Sequence, residues 1–294
     1  MKEFSKNRVY TLLGIGVTVI SFSGILIKLS TAPPLIIAFY RMLLSSLILT
    51  PYLIKNYRKE LKHFFDYRPA VVGLFLATHF FLWFTAFQYT NVASAVIFIA
   101  LQPLFTLLLE YLFAREDLRE GVIVGLILAL LGSVIISIGD FRVLFDKLWG
   151  DLLAIAAAFF AAVYIFSGRS LRKEIDYFPY IYIVYSYTTL ILGFFVLIFR
   201  IPLVGYDKIN YLYFLGLALG PTLIGHSAFN YSVRFLPATI VSLAILGEPV
   251  LTTLFAWLLI GEKITLMTLI GGVFIIGGIY RAIISTRKKN RGNN

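Results

Sequence analysis

Apolar residues fill the chain in long runs, and the polar stretches between them are short and evenly placed. A run of about 20 apolar residues is what a helix needs to cross the hydrocarbon core of a bilayer. Ten such runs occur, at 9–28, 33–54, 69–89, 92–113, 120–138, 150–168, 178–199, 211–233, 237–260 and 265–284. The pattern predicts an all-α integral membrane protein with ten transmembrane helices. Pro33, Pro34, Pro69 and Pro237 mark helix starts, where a missing N–H costs nothing, and Asn91 can cap the fourth helix. The links around Thr90–Asn91 and Leu236 are very short, whereas 55–68 and 139–149 are long and polar.

The run Asn230 to Gly278 repeats one 146 residues earlier. With Pro249 laid over Pro103 and no gaps, Thr252 falls on Thr106, Leu254 on Leu108, Leu258 on Leu112, Glu262 on Glu116, Gly271 on Gly125 and Gly278 on Gly132. The ordered set points to an internal duplication, with units 1–145 and 146–294. Five helices per unit is an odd number, so the second unit enters the membrane from the opposite side. The predicted architecture is two inverted five-helix repeats related by an axis in the membrane plane. The first two helices of each unit repeat more weakly, with Pro34 over Pro179. Gly121, Gly125 and Gly132, Gly271–Gly272 with Gly277–Gly278, Ala154, Ala158 and Ala161–Ala162, and Gly216 with Gly220 give small faces on which helices can approach closely.

Charge gives the orientation. With the N-terminus inside, nineteen Lys and Arg fall in inside segments and six outside, with Arg41 left inside a helix. That bias predicts cytoplasmic termini. The net charge of +11 therefore reports topology, not nucleic-acid binding. Composition agrees: 60% of residues are hydrophobic and 14% charged, against roughly 45–50% and about 25% in soluble domains. There are no cysteines, which excludes disulfides and thiolate metal sites, and the three widely spaced histidines argue against a metal centre. The first 30 residues imitate a signal peptide, but the apolar run is too long and lacks a small-x-small cleavage site, so it reads as an uncleaved first helix.

The segments "LQPLFTLLLEYLFAREDL" and "LGEPVLTTLFAWLLIGEKI", with "GHSAFNYSVRFLPATIVSLAILGEP", resemble the EamA-type members of the drug/metabolite transporter superfamily. The likeness covers nearly the whole chain and is most specific in the fourth, fifth, ninth and tenth helices. It implies a carrier in the cytoplasmic membrane with a central cavity between the repeats, often an exporter of amino acids, metabolites or drugs. The first repeat departs from the second in carrying Gln102 before its proline where the second has Glu248, and Ala114-Arg115-Glu116 where the second has Gly261-Glu262.

A charged or strongly polar side chain at mid-bilayer costs about 2.5–3.5 kcal/mol on insertion scales, so each such residue asks for a partner or a wet cavity. The candidates are Arg41, His79, Gln88, Gln102, Glu110, His226, Asn230 and Glu248. Glu248 is the foremost. Pro249 cannot donate to the carbonyl of Ile245, nor Pro103 to that of Ile99, so both helices are expected to bend, with Pro103 and Pro249 at the gates. Glu248 either binds a substrate amine or a proton, or pairs with Arg41 to hold the bundle. Arg41 in turn suits a substrate carboxylate or a neighbouring Glu. His226 and Asn230, like His79 and Trp83, are four apart and share a helix face; each face either lines the cavity or makes helix–helix hydrogen bonds. Gln102, Thr106 and Glu110 form a polar stripe, in which Glu110 is read as approaching the cytoplasmic boundary. Tyr and Trp belong mostly to the interfaces.

The leading function is a secondary carrier that works by alternating access and takes a small-molecule substrate. No cofactor is expected, and no ATP, because no GxxxxGK[ST] loop is present. Proton coupling and oligomeric state are left open. An intramembrane serine/histidine enzyme using Ser23 or Ser167 with His79 or His226 lacks any G-x-S-x-G elbow. A passive channel lacks visible charge rings or a carbonyl filter.

Overall fold

The computed structural model describes residues 6–89, 98–114, 119–138, 148–261 and 264–292. Asn91, Glu116, Glu262 and most of the 139–149 link lie outside the described residues, as does the side chain of Gln88. Every element among the described residues is helical. In chain order they are α1 (Lys6–Ile20), α2 (Phe22–Leu29), α3 (Pro34–Asn56), a 3-10 helix (Arg58–Phe65), α4 (Tyr67–Tyr89), α5 (Gln102–Ala114), α6 (Glu120–Ile138), α7 (Leu148–Glu174) and α8 (Tyr177–Ile198). They continue with α9 (Lys208–Leu217), a π-helical segment (Ala218–His226), α10 (Ser227–Ser232), α11 (Ala238–Ile245), α12 (Gly247–Ile260) and α13 (Leu266–Gly292). Eight stretches among the described residues are long and apolar enough to cross a membrane, and Gln102–Ala114 and Glu120–Ile135 are shorter apolar helices. Large apolar side chains such as Leu47, Phe113, Leu190, Leu197, Val273 and Ile276 are exposed, which suits a lipid-facing surface.

Several of these rods are interrupted, and each break has a local cause. Pro249 leaves the Ile245 carbonyl without its i+4 donor, and the helix breaks at Leu246, whose N–H turns to the Leu243 carbonyl (3.1 Å). Pro103 has the same effect: a tight turn in which the Leu101 N–H donates to the Phe98 carbonyl (3.2 Å) precedes α5. A third break follows from Pro221, which cannot donate to the Leu217 carbonyl. The Thr222 hydroxyl donates there instead (2.9 Å), and the chain takes π-helical turns over Ala218–His226. The first rod breaks at Ser21, whose carbonyl accepts the Thr252 hydroxyl of α12 (2.9 Å).

The small residues sit where helices touch. α6 and α13 lie against each other along most of their length. A Cβ on Gly125 would stand 2.5 Å from the Gly278 carbonyl oxygen, and one on Gly132 would stand 2.5 Å from that of Gly271. Because residue numbers rise on one helix as they fall on the other, the pair is antiparallel. α4 packs on α7, where Ala154, Ala157, Ala158, Ala161 and Ala162 are all buried. On the side of α8, a Cβ on Gly73 would meet the Tyr187 side chain and the Val184 carbonyl. In lipid, where apolar side chains gain nothing by leaving one solvent for another, such close backbone contact is a principal attraction.

Candidate functional site

Arg41 is the centre of the polar interior. It lies on α3, 3% exposed. Its Nε donates to the Thr222 hydroxyl (3.1 Å), and its guanidinium carbon stands 5.1 Å from the centre of the Phe80 ring. Nη2 is buried and has no hydrogen-bond partner. Thr222 can serve both neighbours because its single hydroxyl proton goes to the Leu217 carbonyl and its lone pairs remain for Arg41. The proline-induced π segment is therefore what presents an acceptor to the arginine.

Phe80 draws the histidines into the same neighbourhood. The His226 ring lies edge-on to it at 6.4 Å, and the His79 ring is 5.2 Å away. Both histidines are half-buried and lie within electrostatic reach of Arg41. His79 Nδ1 is 3.0 Å from the Ala157 carbonyl. A carbonyl only accepts, so this nitrogen carries the proton and Nε2 is left as an acceptor in the neutral ring. Trp83 follows one turn along α4 and is half-buried.

Glu248 opens α12 next to the Leu246 break and is half-buried. Its main-chain carbonyl faces the Ser21 hydroxyl at 3.4 Å. The charges of Glu248 and Arg41 act on one another, but no ion pair within 4.0 Å joins them, and the Glu248 carboxylate has no ion-pair partner among the described residues. The direct Arg41–Glu248 bridge that the sequence allowed is not made.

Asn230 belongs to an adjoining network. It is 3% exposed, accepts from the Tyr164 hydroxyl at Oδ1 (2.9 Å) and donates from Nδ2 to the Tyr185 hydroxyl (3.4 Å). Its carbonyl accepts from Arg172 Nη1 (3.2 Å). These are hydrogen bonds between helices, one of the two readings open for Asn230. Tyr185 is in turn within electrostatic reach of Arg41, so the two clusters adjoin. Gln102 is buried at the first residue of α5, and its carbonyl accepts from Thr106 (2.9 Å). Thr106 also shares a 3.0 Å hydrogen bond with Ser242 of α11, which ties the two proline-broken rods together. No hydrogen bond joins Gln102 to the Arg41 cluster.

Two further charged residues are buried in the bundle. Glu110, expected near the cytoplasmic boundary, is 2% exposed and bound across the bundle at the start of α11. Its carboxylate accepts from the N–H groups of Ala238 (2.6 Å) and Thr239 (3.1 Å) and from the Thr239 hydroxyl (2.5 Å), and it pairs with Arg169 of α7 (3.0 Å). The first N–H groups of α11 have no partner inside their own helix, and Pro237 supplies no side-chain cap. A carboxylate from α5 takes that role, where the helix dipole also favours negative charge. Arg172, counted with the polar links, is buried within the last turns of α7, its guanidinium carbon 5.0 Å from the centre of the Tyr180 ring. Gly168 makes room for it, since a Cβ there would run into its guanidinium.

A cavity of about 360 Å³ lies between α1, α11–α12 and α13, lined by Tyr10, Gly14, Val17, Ala244, Gly247 and Leu251 among others. It is apolar and borders the Leu246 break, but none of the polar cluster lines it, so it is a neighbour of the site and not the site itself.

A helical chain with exposed apolar flanks, a buried guanidinium and a half-buried carboxylate and imidazole pair between its rods is a multi-pass membrane protein with a polar interior. Its family follows from the sequence: the model of the EamA-like transporter family matches residues 8–138 and again 148–284. The chain belongs to that family and is a membrane transporter. It is 28% identical over 293 residues to "Uncharacterized transporter YdfC" of Bacillus subtilis (strain 168), covering 95% of this chain and 91% of that one. Two proteins of Archaeoglobus fulgidus, each named "Uncharacterized transporter", are 30% identical over 203 residues (65% of this chain, 67% of that one) and 27% identical over 281 residues (92% and 94%). One crystal structure superposes with a TM-score of 0.82 at 19% identity, covering 96% of this chain and 99% of its own. That likeness concerns the fold alone.

Proposed function

We propose that the protein is a secondary carrier that exports a small metabolite, amino acid or drug by alternating access. In this reading, residues 1–145 and 146–294 form two inverted repeats of five membrane helices each, with both termini cytoplasmic. The α5 and α11–α12 rods, bent at Pro103 and Pro249, border the gates. The observation that carries the proposal is a guanidinium and a carboxylate inside the bundle that do not pair with each other. Among the described residues, Arg41, from the first repeat, has a buried Nη2 without a partner, and Glu248, from the second, has a half-buried carboxylate without an ion pair. Leaving such groups unpaired in a membrane interior is costly, and they mark substrate or ion pathways. Arg41 takes an anionic group of the cargo; Glu248 takes a cationic group or a proton; His226, His79 and Trp83 complete the lining. Asn230 and Gln102 hold the helices that carry it.

The glycine contacts support the inverted arrangement. The offset of 146 residues carries Gly125 to Gly271 and Gly132 to Gly278, so it turns the Gly125–Gly278 contact into the Gly271–Gly132 contact. Two antiparallel helices whose contacts exchange in this way are related by a two-fold axis perpendicular to both. For membrane-crossing helices, such an axis lies in the membrane plane.

Counterflow in proteoliposomes tests the proposal. Saturable uptake of a labelled solute, driven by the same solute trapped inside and needing no nucleotide, is expected. Glu248→Gln and Arg41→Gln should each depress it while the protein still elutes as a folded species. Flux that requires ATP, or that proceeds normally in both variants over pH 5–8, would overturn it.

A further inference from the structure

The segment joining α3 to α4 takes no part in the polar interior, and its surface is unusual. Lys55 in the last turn of α3 and Arg58, Lys59 and Lys62 of the 3-10 helix are all exposed, and none is in an ion pair among the described residues. The carboxylates beside them are already engaged. Glu60 meets His63 at 3.2 Å, and Asp66 holds Arg68 at 2.8 Å while Arg68 also reaches Glu174 of α7 at 2.8 Å. Four cations are thus concentrated over about two turns with no ion-pair partner among the described residues.

The same segment exposes large aromatic surface. Phe65 is 93% exposed and Tyr67 is 76% exposed. Phe64 points the other way: its ring stacks on Tyr187 of α8 at 4.9 Å, and its carbonyl accepts the Tyr187 hydroxyl at 2.6 Å. Tyr187 lies ten residues into α8, so these contacts lay the 3-10 helix along the flank of α8 instead of letting it stand out into water. α3 and α4, on either side, are both long and apolar enough to cross a membrane. The segment is therefore held against α8 between two candidate membrane spans, with its cations and the rings of Phe65 and Tyr67 exposed.

Cations beside rings are complementary to a phospholipid leaflet, with phosphates for the first and the acyl boundary for the second. We propose that Lys55, Arg58, Lys59 and Lys62 form a binding site for anionic phospholipid headgroups, with Phe65 and Tyr67 seated at the acyl boundary beneath them. The site is separate from the Arg41–Glu248 cluster and does not depend on what the protein transports.

The test is native mass spectrometry of the full chain in neutral detergent, titrated with phosphatidylglycerol or phosphatidylcholine. Phosphatidylglycerol should bind more tightly, and its affinity should fall by about fivefold for each cation removed, through the pair Lys59→Gln/Lys62→Gln to the set that adds Lys55→Gln and Arg58→Gln. The pair tests the site with most of the topology-setting charge of the link retained. Phe65→Ser should weaken both lipids alike and leave the preference between them. Neutralising Arg287, Lys288 and Lys289, another basic run, should leave phosphatidylglycerol binding unchanged. Equal binding of the two lipids, or wild-type phosphatidylglycerol binding by the Lys59→Gln/Lys62→Gln pair, would overturn the proposal. So would displacement of the lipid by inorganic phosphate at equal concentration, which would make this a site for free anions.

Discussion

Replacing Glu110 probes the tie that crosses the bundle most directly. The carboxylate is buried, caps α11 through Ala238 and Thr239, and pairs with Arg169. Hydrogen bonds to charged groups contribute about 1.5–3 kcal/mol each, but adding four of them overstates the effect, because the partners are partly rehydrated when the carboxylate goes. Removing one member of a buried ion pair costs about 3–5 kcal/mol, and that is the expected loss for Glu110→Ala. Glu110→Gln keeps one oxygen for the α11 N–H groups and loses the charge, so its cost should be smaller, close to the roughly 0.5–2 kcal/mol of a weakened N-cap. Arg169→Gln should be milder still: Glu110 keeps its three donors from α11, and the Arg169 side chain is already 21% exposed. Reversible unfolding in mixed micelles, followed by tryptophan fluorescence, gives the order. If Glu110→Ala and Arg169→Gln cost the same, or if both are neutral, the carboxylate does not hold α11 and the argument fails.

Other outcomes follow from the same contacts. Gly125→Ala and Gly278→Ala place a methyl against a facing carbonyl and should cost about 1–3 kcal/mol by overpacking. Gly14→Ala and Gly277→Ala meet nothing within 4 Å and should be neutral or stabilising by up to about 1 kcal/mol; the same unfolding assay separates the two pairs. Thr222→Val removes both the acceptor for Arg41 Nε and the donor to the Leu217 carbonyl, and counterflow should fall further than in Thr222→Ser, which keeps the hydroxyl. Hydrogen bonds from Arg68 hold the Asp66 carboxyl below the usual carboxylate range. A depressed acid stabilises the fold above its unfolded value of about 3.9 and loses that contribution as pH falls through the folded value. The link should therefore loosen on acidification below about pH 4, and a stability-against-pH curve that is unchanged in Asp66→Asn would refute this.

The parts of the structure that were legible in the sequence are those set by local chemistry. Eight of the ten expected spans follow apolar run length among the described residues, and the breaks at Leu246 and before α5 follow from Pro249 and Pro103, since a missing N–H acts within one turn. The glycine faces of α6 and α13 could be read because close packing in lipid demands small residues. Pro221 carries the same signal as the other two prolines, yet its π-helical consequence depends on the Thr222 hydroxyl finding both Leu217 and Arg41. The role of Glu110 was hidden because its donors lie 128 and 129 residues further along the chain; the uncapped start after Pro237 was the only clue. Arg172 looked like a topology-setting cation because charge counting treats every Lys and Arg near a helix end alike. Its burial depends on the space left by Gly168 and the ring of Tyr180. Of the proposed site, Arg41, Glu248, His79 and His226 stood out as polar residues inside apolar runs, whereas Phe80 and Thr222, which connect them, resemble ordinary helix residues.

The central claim is that the polar cluster opens to the two sides of the membrane in turn. A single cysteine placed at His226, in a chain that has no cysteine of its own, tests it with an impermeant thiol reagent applied to one face of oriented proteoliposomes at a time. The account predicts slow labelling from each face, with conditions that favour one side protecting against reagent on the other. Fast labelling from both faces at once under every condition, or none from either, would contradict it.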